Sequence, residues 1–256
     1  MASNSDEIYR LEHVPIFEAM YGKGLISLGG YPAVERMFTD VDLHRKHLLD
    51  IGFGIGGIAH YLASTFDVQV TGVEIHPWMV DYATDSTLES AKERVRFLTY
   101  DEQGHIPLPP ECIDLAYSKG VLTNVEDKRS LFQEVVRVLQ PHGELCLIDW
   151  LAPADGVPTT ELLFSTGELS HKETAASYRE ILAGCGFQQI EFQDVTPEYL
   201  TYVNELTDVL SAPEHIERYS DILSSEFRNH LLASNAKIVN AIESGEQLSC
   251  RIRAAL

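Results

Sequence analysis

Basic residues are scarce in this chain. Its 256 residues hold 19 Lys and Arg against 39 Asp and Glu, a formal charge of −20. A field of that sign repels phosphate backbones and anionic headgroups, which argues against nucleic-acid and membrane-surface partners. Long apolar runs are missing as well, and none approaches the roughly 20 residues that span a bilayer. The first residues, Met1 to Glu7, lack the basic and apolar stretches of a secretory leader. The expectation is a soluble, cytoplasmic protein. Cysteine is sparse: Cys112, Cys146, Cys185 and Cys250 stand far apart, with no C-x-x-C pair. That spacing excludes a thiolate metal centre and suggests free thiols in a reducing compartment. With 45% hydrophobic and 23% charged residues, the chain has enough apolar content for a packed core, so disorder is excluded.

Strand and helix patterns alternate through the first half. A short apolar run, His47 to Ile51, ends in a cluster of glycines, and a helical segment follows from Ile58 to Phe66. Further strands are expected at 68–75, 95–99, 113–117 and 144–149, with an amphipathic helix from Arg129 to Leu139. Such alternation calls for a mostly parallel sheet covered on both faces. After Asp149 a stretch with Pro153, Gly156 and Pro158 reads as loop, and a helix is expected from about Lys172 to Ala183. Residues 189–193 suggest a strand, about 197–246 helices, and 248–253 a returning strand. The expected division is one domain: an N-terminal helical cover (1–44), a core (45–195), a helical lid (196–246) and a last strand (247–256).

The strongest chemical signal is Leu48-Leu-Asp50-Ile-Gly52-Phe-Gly54-Ile-Gly56-Gly57. Glycines at a strand-to-helix turn let backbone approach a ligand and present N–H groups at a helix start. Glu74 ends the next strand, where a carboxylate can take both hydroxyls of a ribose. The candidates are a dinucleotide, adenosylmethionine, or a turn with no ligand. Dinucleotide sites space their glycines G-x-G-x-x-G, whereas here the order is Gly52-x-Gly54-x-Gly56-Gly57 after Asp50. This pattern resembles the first motif of class I S-adenosylmethionine-dependent methyltransferases. Asp101 after the third strand, Ile113-Asp-Leu-Ala-Tyr117, and the turn Leu139-Gln-Pro141-His-Gly143 resemble later motifs of the same family, in the same order. The resemblance implies a Rossmann-like fold with a seven-stranded sheet. Its implied cofactor set is Asp50, Gly52, Gly54, Gly56, Glu74, Ile75, Asp101, Glu102 and Ser118, binding S-adenosylmethionine and releasing S-adenosylhomocysteine.

The N-terminal run Ile26-Ser27-Leu-Gly29-Gly30 is similar to the segment before that motif in phosphoethanolamine N-methyltransferases. That resemblance implies cofactor contacts at Ile26 and Ser27, and a closing tyrosine that falls on Tyr9. Departures accompany it. Asn124 holds the place of a histidine, Gly120 that of an aspartate, and Trp150 that of a substrate-contacting tyrosine. The phosphate-binding arginine and tyrosine have no equivalents in Gly167-Glu-Leu-Ser-His171, although Lys237 is a candidate for the family's phosphate-facing lysine. Asparagine orients a partner but takes no proton near neutral pH. The expected catalytic set is Tyr9, Asn124 and Trp150, with Tyr9, Trp150 and Lys237 meeting a small-molecule acceptor, an amine first, and no metal. The alternatives are a cofactor-binding regulator and, less well matched by glycine spacing, a nicotinamide enzyme.

Overall fold

The computed structural model describes residues 9–100, 104–162 and 169–256. In chain order, helices α1 (Val14–Tyr21) and α2 (Gly30–Met37) precede strand β1 (His47–Ile51). Then follow α3 (Gly57–Thr65), β2 (Gln69–Glu74), α4 (Pro77–Asp85), β3 (Val95–Thr99), β4 (Ile113–Lys119), α5 (Lys128–Val138) and β5 (Leu139–Leu151). The second half runs β6 (Thr159–Leu162), β7 (Leu169–Lys172), α6 (Ala175–Gly184) and β8 (Gln188–Asp194). It closes with α7 (Thr196–Ser211), α8 (Pro213–Arg218), α9 (Ser225–Glu243) and β9 (Leu248–Ala255).

Seven strands form one sheet in the order β3-β2-β1-β4-β5-β9-β8. Strands β1 to β5 pair in parallel, and β9 runs antiparallel between β5 and β8. The side-chain period of two divides each central strand between two cores. Leu48 of β1 packs with α2 and α3 through Val34, Met37 and Leu62. Leu49 and Ile51 face the opposite side, with Leu131, Phe132 and Val135 of α5 and Leu182 of α6. Burial on both faces is why these strands read as continuous apolar runs. A third cluster, Ile16, Leu206, Leu210 and Leu223, joins α1 to the helices inserted between β8 and β9.

Two departures from the sequence pattern have local causes. The stretch after Asp149 contains the antiparallel hairpin of β6 and β7, pairing Thr159 with Lys172. The helix expected from Lys172 begins only at Ala175, because Thr174 caps it. Its hydroxyl accepts from the Ser177 N–H at 3.1 Å, while the Thr174 N–H donates to the Ser177 hydroxyl at 3.0 Å. No helix among the described residues is long and apolar enough to cross a membrane, and no cluster of His, Cys, Asp and Glu there is arranged to hold a metal.

Candidate active site

The strand order reverses between β1 and β4, and in such sheets ligands sit beyond the carboxyl ends of the strands at that reversal. A cleft of about 990 Å³, counted to its open mouth, lies there. Three neighbouring strands supply its floor: Asp50 lies in β1 and the glycine loop follows that strand, Glu74 ends β2, and Lys119 ends β4.

Gly52 and Gly54 take left-handed φ values of +71° and +59°. A Cβ on Gly52 would sit 2.5 Å from Val121 Cγ1, and one on Gly54 2.6 Å from Ile26 Cδ1. Both positions therefore require glycine for conformation and for space. Gly56 does different work. It does not line the cleft, and a Cβ there would meet Ala83 and Phe97 at 2.8 and 2.9 Å. Its role is close packing of α3 against α4 and β3.

Glu74 is 6% exposed. Its Oε2 accepts from the Gly54 N–H at 3.1 Å, and its Oε1 from the Ile75 N–H at 2.9 Å and the His76 ring nitrogen at 3.0 Å. One carboxylate thus ties the glycine loop to the end of β2. Asp50 is buried and accepts from the Tyr117 hydroxyl at 2.7 Å. Burial pushes its pKa up to about 7 against the lowering effect of that bond, and Glu74 adds to the rise.

The N-terminal segment closes one wall. Gly24, Ile26, Ser27 and Tyr9 all line the cleft, and Tyr9 packs on Phe17 and His76 at ring separations of 5.8 and 6.4 Å. The segment is seated by a backbone contact: a Cβ on Gly57 would lie 2.0 Å from the Gly24 carbonyl oxygen. Glu18 secures the same turn by accepting from the Gly24 N–H at 2.8 Å. Asn124, the last residue of a 3-10 turn (Leu122–Asn124), reaches the cleft from the β4 side with Gly120 and Val121.

Of the residues singled out in the sequence, Tyr9, Ile26, Ser27, Asp50, Gly52, Gly54, Glu74, Ile75 and Asn124 converge here. Asp101 and Glu102 lie outside the described residues. Besides Gly56, three others are placed elsewhere. Ser118 is buried in β4 and donates to the Ile51 carbonyl at 2.8 Å, so its hydroxyl serves the sheet. Trp150 does not line the cleft, and its indole packs edge-on against Tyr199 with centroids 5.2 Å apart. Lys237 is exposed on α9 and is likewise absent from the cleft wall. Lys119 was not singled out, since a lone lysine ending an apolar strand carries no motif. It is 6% exposed, lines the cleft, and donates to the Ser27 hydroxyl at 2.8 Å and the Leu28 carbonyl at 2.6 Å.

The residues present fit S-adenosylmethionine: a carboxylate for ribose hydroxyls, two glycines where a Cβ would fill the floor, and both signs of charge for an amino-acid end. A family model described as a methyltransferase domain matches residues 49–147, the span from β1 into β5. Phosphoethanolamine N-methyltransferase of Triticum aestivum is 26% identical over 242 residues, 93% of this chain and 47% of the relative. The Plasmodium falciparum protein of the same name is 27% identical over 205 residues, 78% of this chain and 74% of that relative. The chain spans about half the length of the plant relatives it matches. Phosphoethanolamine N-methyltransferase 2 of Haemonchus contortus, solved with phosphomonomethylethanolamine and S-adenosylhomocysteine, shares the fold. It matches with a TM-score of 0.82 at 22% identity, covering 100% of this chain and 61% of that one. Motif order, sheet order and these likenesses agree: the chain has the Rossmann-like fold of the class I S-adenosylmethionine-dependent methyltransferases, and its sequence is similar to the phosphoethanolamine N-methyltransferases.

Proposed function

We propose that the chain transfers the methyl group of S-adenosylmethionine to a compact small-molecule nucleophile, an amine in the first instance. The observation that carries this proposal is the convergence of two sets of residues on one cleft. Glu74, Gly52 and Gly54 stand on the cofactor side, and Tyr9 and Asn124 open onto the same space. When bound, the cofactor supplies an electrophilic methyl group on a sulfonium sulfur. Glu74 holds the ribose hydroxyls, while Ile26 and the glycine backbone fix the floor. Tyr9 and Asn124 orient the acceptor, and Tyr9 with its Phe17 and His76 neighbours excludes water from one side. Positioning of this kind is the main requirement of an in-line displacement. An amine acceptor is able to lose its proton to water before it attacks, which suits a site with asparagine in place of histidine.

An acceptor less anionic than phosphoethanolamine is favoured by the exposed position of Lys237 and by the missing bidentate arginine. A labelled-methyl assay over a panel of amines, phosphoethanolamine included, tests this. Efficient turnover of phosphoethanolamine that Lys237→Ala abolishes would overturn the acceptor assignment. Tight NAD binding without S-adenosylmethionine binding would overturn the reaction class. Asn124 and Gly120 at the cleft also favour a second possibility, a cofactor-binding regulator without turnover. Calorimetric binding of S-adenosylmethionine with no methyl transfer across the panel would select it.

A further inference from the structure

An arginine and a histidine meet, both buried, where the inserted helices touch the N-terminal cover. Arg228 of α9 is 5% exposed and His215 of α8 is 7% exposed. Arg228 Nη1 donates to the Leu210 carbonyl near the end of α7 at 2.7 Å and to His215 Nδ1 at 2.9 Å. Among the described residues, Nη2 has no hydrogen-bond partner, and no carboxylate comes within ion-pair distance of the guanidinium. The partial negative charge at the C-terminal end of α7 is what receives this cation. Arginine offers no acceptor and keeps its charge, so its bond makes His215 Nδ1 the acceptor and leaves the single ring proton on Nε2. That nitrogen lies 3.5 Å from the Ala19 carbonyl oxygen of α1, the long limit of a hydrogen bond. The ring also packs on Tyr219, with centroids 4.5 Å apart. A neutral imidazole thus bridges α9 to α1.

We propose that His215 is a proton-sensitive latch between the inserted helices and the N-terminal cover. Neutral, it holds α1 in place; protonated, it releases α1 and with it one wall of the cleft. A proton on Nδ1 points at the Arg228 donor, cancels that bond, and sets a second cation beside one that has no counterion. Two like charges in contact away from water repel strongly, and separating α8 from α9 and α1 relieves them. The route to the cleft is short. Ala19 lies between Glu18, which accepts from the Gly24 N–H at 2.8 Å, and Gly22, which caps α1. Gly24, Ile26 and Ser27 then line the cleft itself. The effect on cofactor binding rests on the cofactor assignment above, whereas the latch does not.

The surroundings of the ring favour its neutral form. Burial lowers the His215 pKa from its ordinary 6.5; the Ala19 carbonyl and Glu214 pull the other way, and Arg228 and Arg218 add to the lowering. From α7 the group at this contact is the Leu210 carbonyl, already taken by Arg228. On α1 the carboxylate of Glu18 is turned to Gly24. Two further histidines stand at the same seam: His13 and His230 stack on Phe227 at centroid distances of 6.1 and 6.3 Å. A group held below its ordinary pKa in the folded state gives stability that is complete above that value and is lost as pH falls. The latch is therefore closed above pH 6.5 and weakens below it.

A titration from pH 8 down to the onset of global unfolding tests this, with His215 followed by nitrogen NMR and the backbone by hydrogen exchange. In the unmodified protein, protection factors in α1 should fall as the His215 ring takes up its proton, while those of β1 and β4 hold. Over the same range S-adenosylmethionine should bind more weakly by at least about fivefold, the lower end of ordinary coupling between sites. His215→Gln offers an acceptor to Arg228 and a donor to Ala19 and takes no proton. It should keep α1 protected and remove that fivefold, so that any loss of affinity left in the variant belongs to other groups, Asp50 among them. His13→Gln should leave the wild-type response in place. A His215 ring that titrates at or above 6.5, that stays neutral until the whole protein unfolds, or that titrates while α1 remains protected overturns the proposal. So does a His215→Gln protein whose α1 opens in acid as the wild type does. S-adenosylmethionine that binds at no pH overturns the cofactor assignment instead, and the protection factors still decide the latch. If His215→Gln fails to fold, ring titration against α1 protection in the unmodified protein decides alone.

Discussion

Both carboxylate oxygens of Glu74 accept from groups in its own neighbourhood, the N–H of Gly54 and Ile75 and the ring of His76. Glu74→Gln preserves its size and removes its charge. It should weaken cofactor binding by about 1.5–3 kcal/mol, the range for hydrogen bonds to charged groups, and unchanged affinity by calorimetry would remove Glu74 from the site. Gly54→Val meets two obstacles, a φ of +59° and the Ile26 side chain 2.6 Å from the new Cβ. Cofactor affinity and melting temperature should both fall, and wild-type values for both would relieve the loop of its assigned part. Lys119 carries a pH signature of its own in the ligand-free protein. Its folded pKa, about 7, lies below the unfolded value near 10.5. The unfolded chain thus binds more protons between those limits, and stability from this group rises with pH across that window. Urea unfolding at pH 7 and pH 9 should show this rise in the wild type and lose that part of it in Lys119→Met. Glu74 and the glycines were legible in the sequence because spacing and strand ends mark them. Lys119 was not, because its meaning depends on two acceptors 91 and 92 residues away.

Helix α7 couples the inserted helices to the N-terminal cover. Leu206 and Leu210 on its buried face pack with Ile16 of α1 and with Leu223. Leu210 is fully buried, so Leu210→Ala should cost 2–5 kcal/mol as a core truncation. Hydrogen exchange should quicken in α1 and α7 before it does in β1 and β4, and uniform quickening would show that the cover and sheet open as one. Most elements could be read from periodicity, since central strands buried on both faces and amphipathic helices leave regular marks. The β6–β7 hairpin could not be, since its four-residue strands sit among Pro153, Gly156 and Pro158, residues that signal turns. Trp150 was misplaced for a related reason. The resemblance put Trp150 at a substrate-contacting place after the fifth strand, yet β5 continues to Leu151 and pairs Trp150 with Ser249 of β9. The register directs the indole to Tyr199 and the core.

The whole molecule carries a charge of −20, and like charges on a compact body repel. Shortening the Debye length to about 8 Å with physiological salt should raise the melting temperature above its low-salt value. A melting temperature that falls or holds steady with salt would show that local ion pairs outweigh that repulsion. The net sign was open to inspection in the sequence, but the isolated cation at the cleft was not, because a sum hides position. The seat of Gly57 on the Gly24 carbonyl bears on how this protein can be recombined. Backbone meets backbone there with no room for a side chain on Gly57. The stretch before β1 and the loop after it are thus one packing unit, although β1 separates them along the chain. A chimera joining the first 45 residues of one relative to the core of another should fold with an intact cleft only where the core brings glycine to position 57. Where it brings alanine, the incoming segment must lift, and Ile26 and Ser27 leave the cleft wall with it.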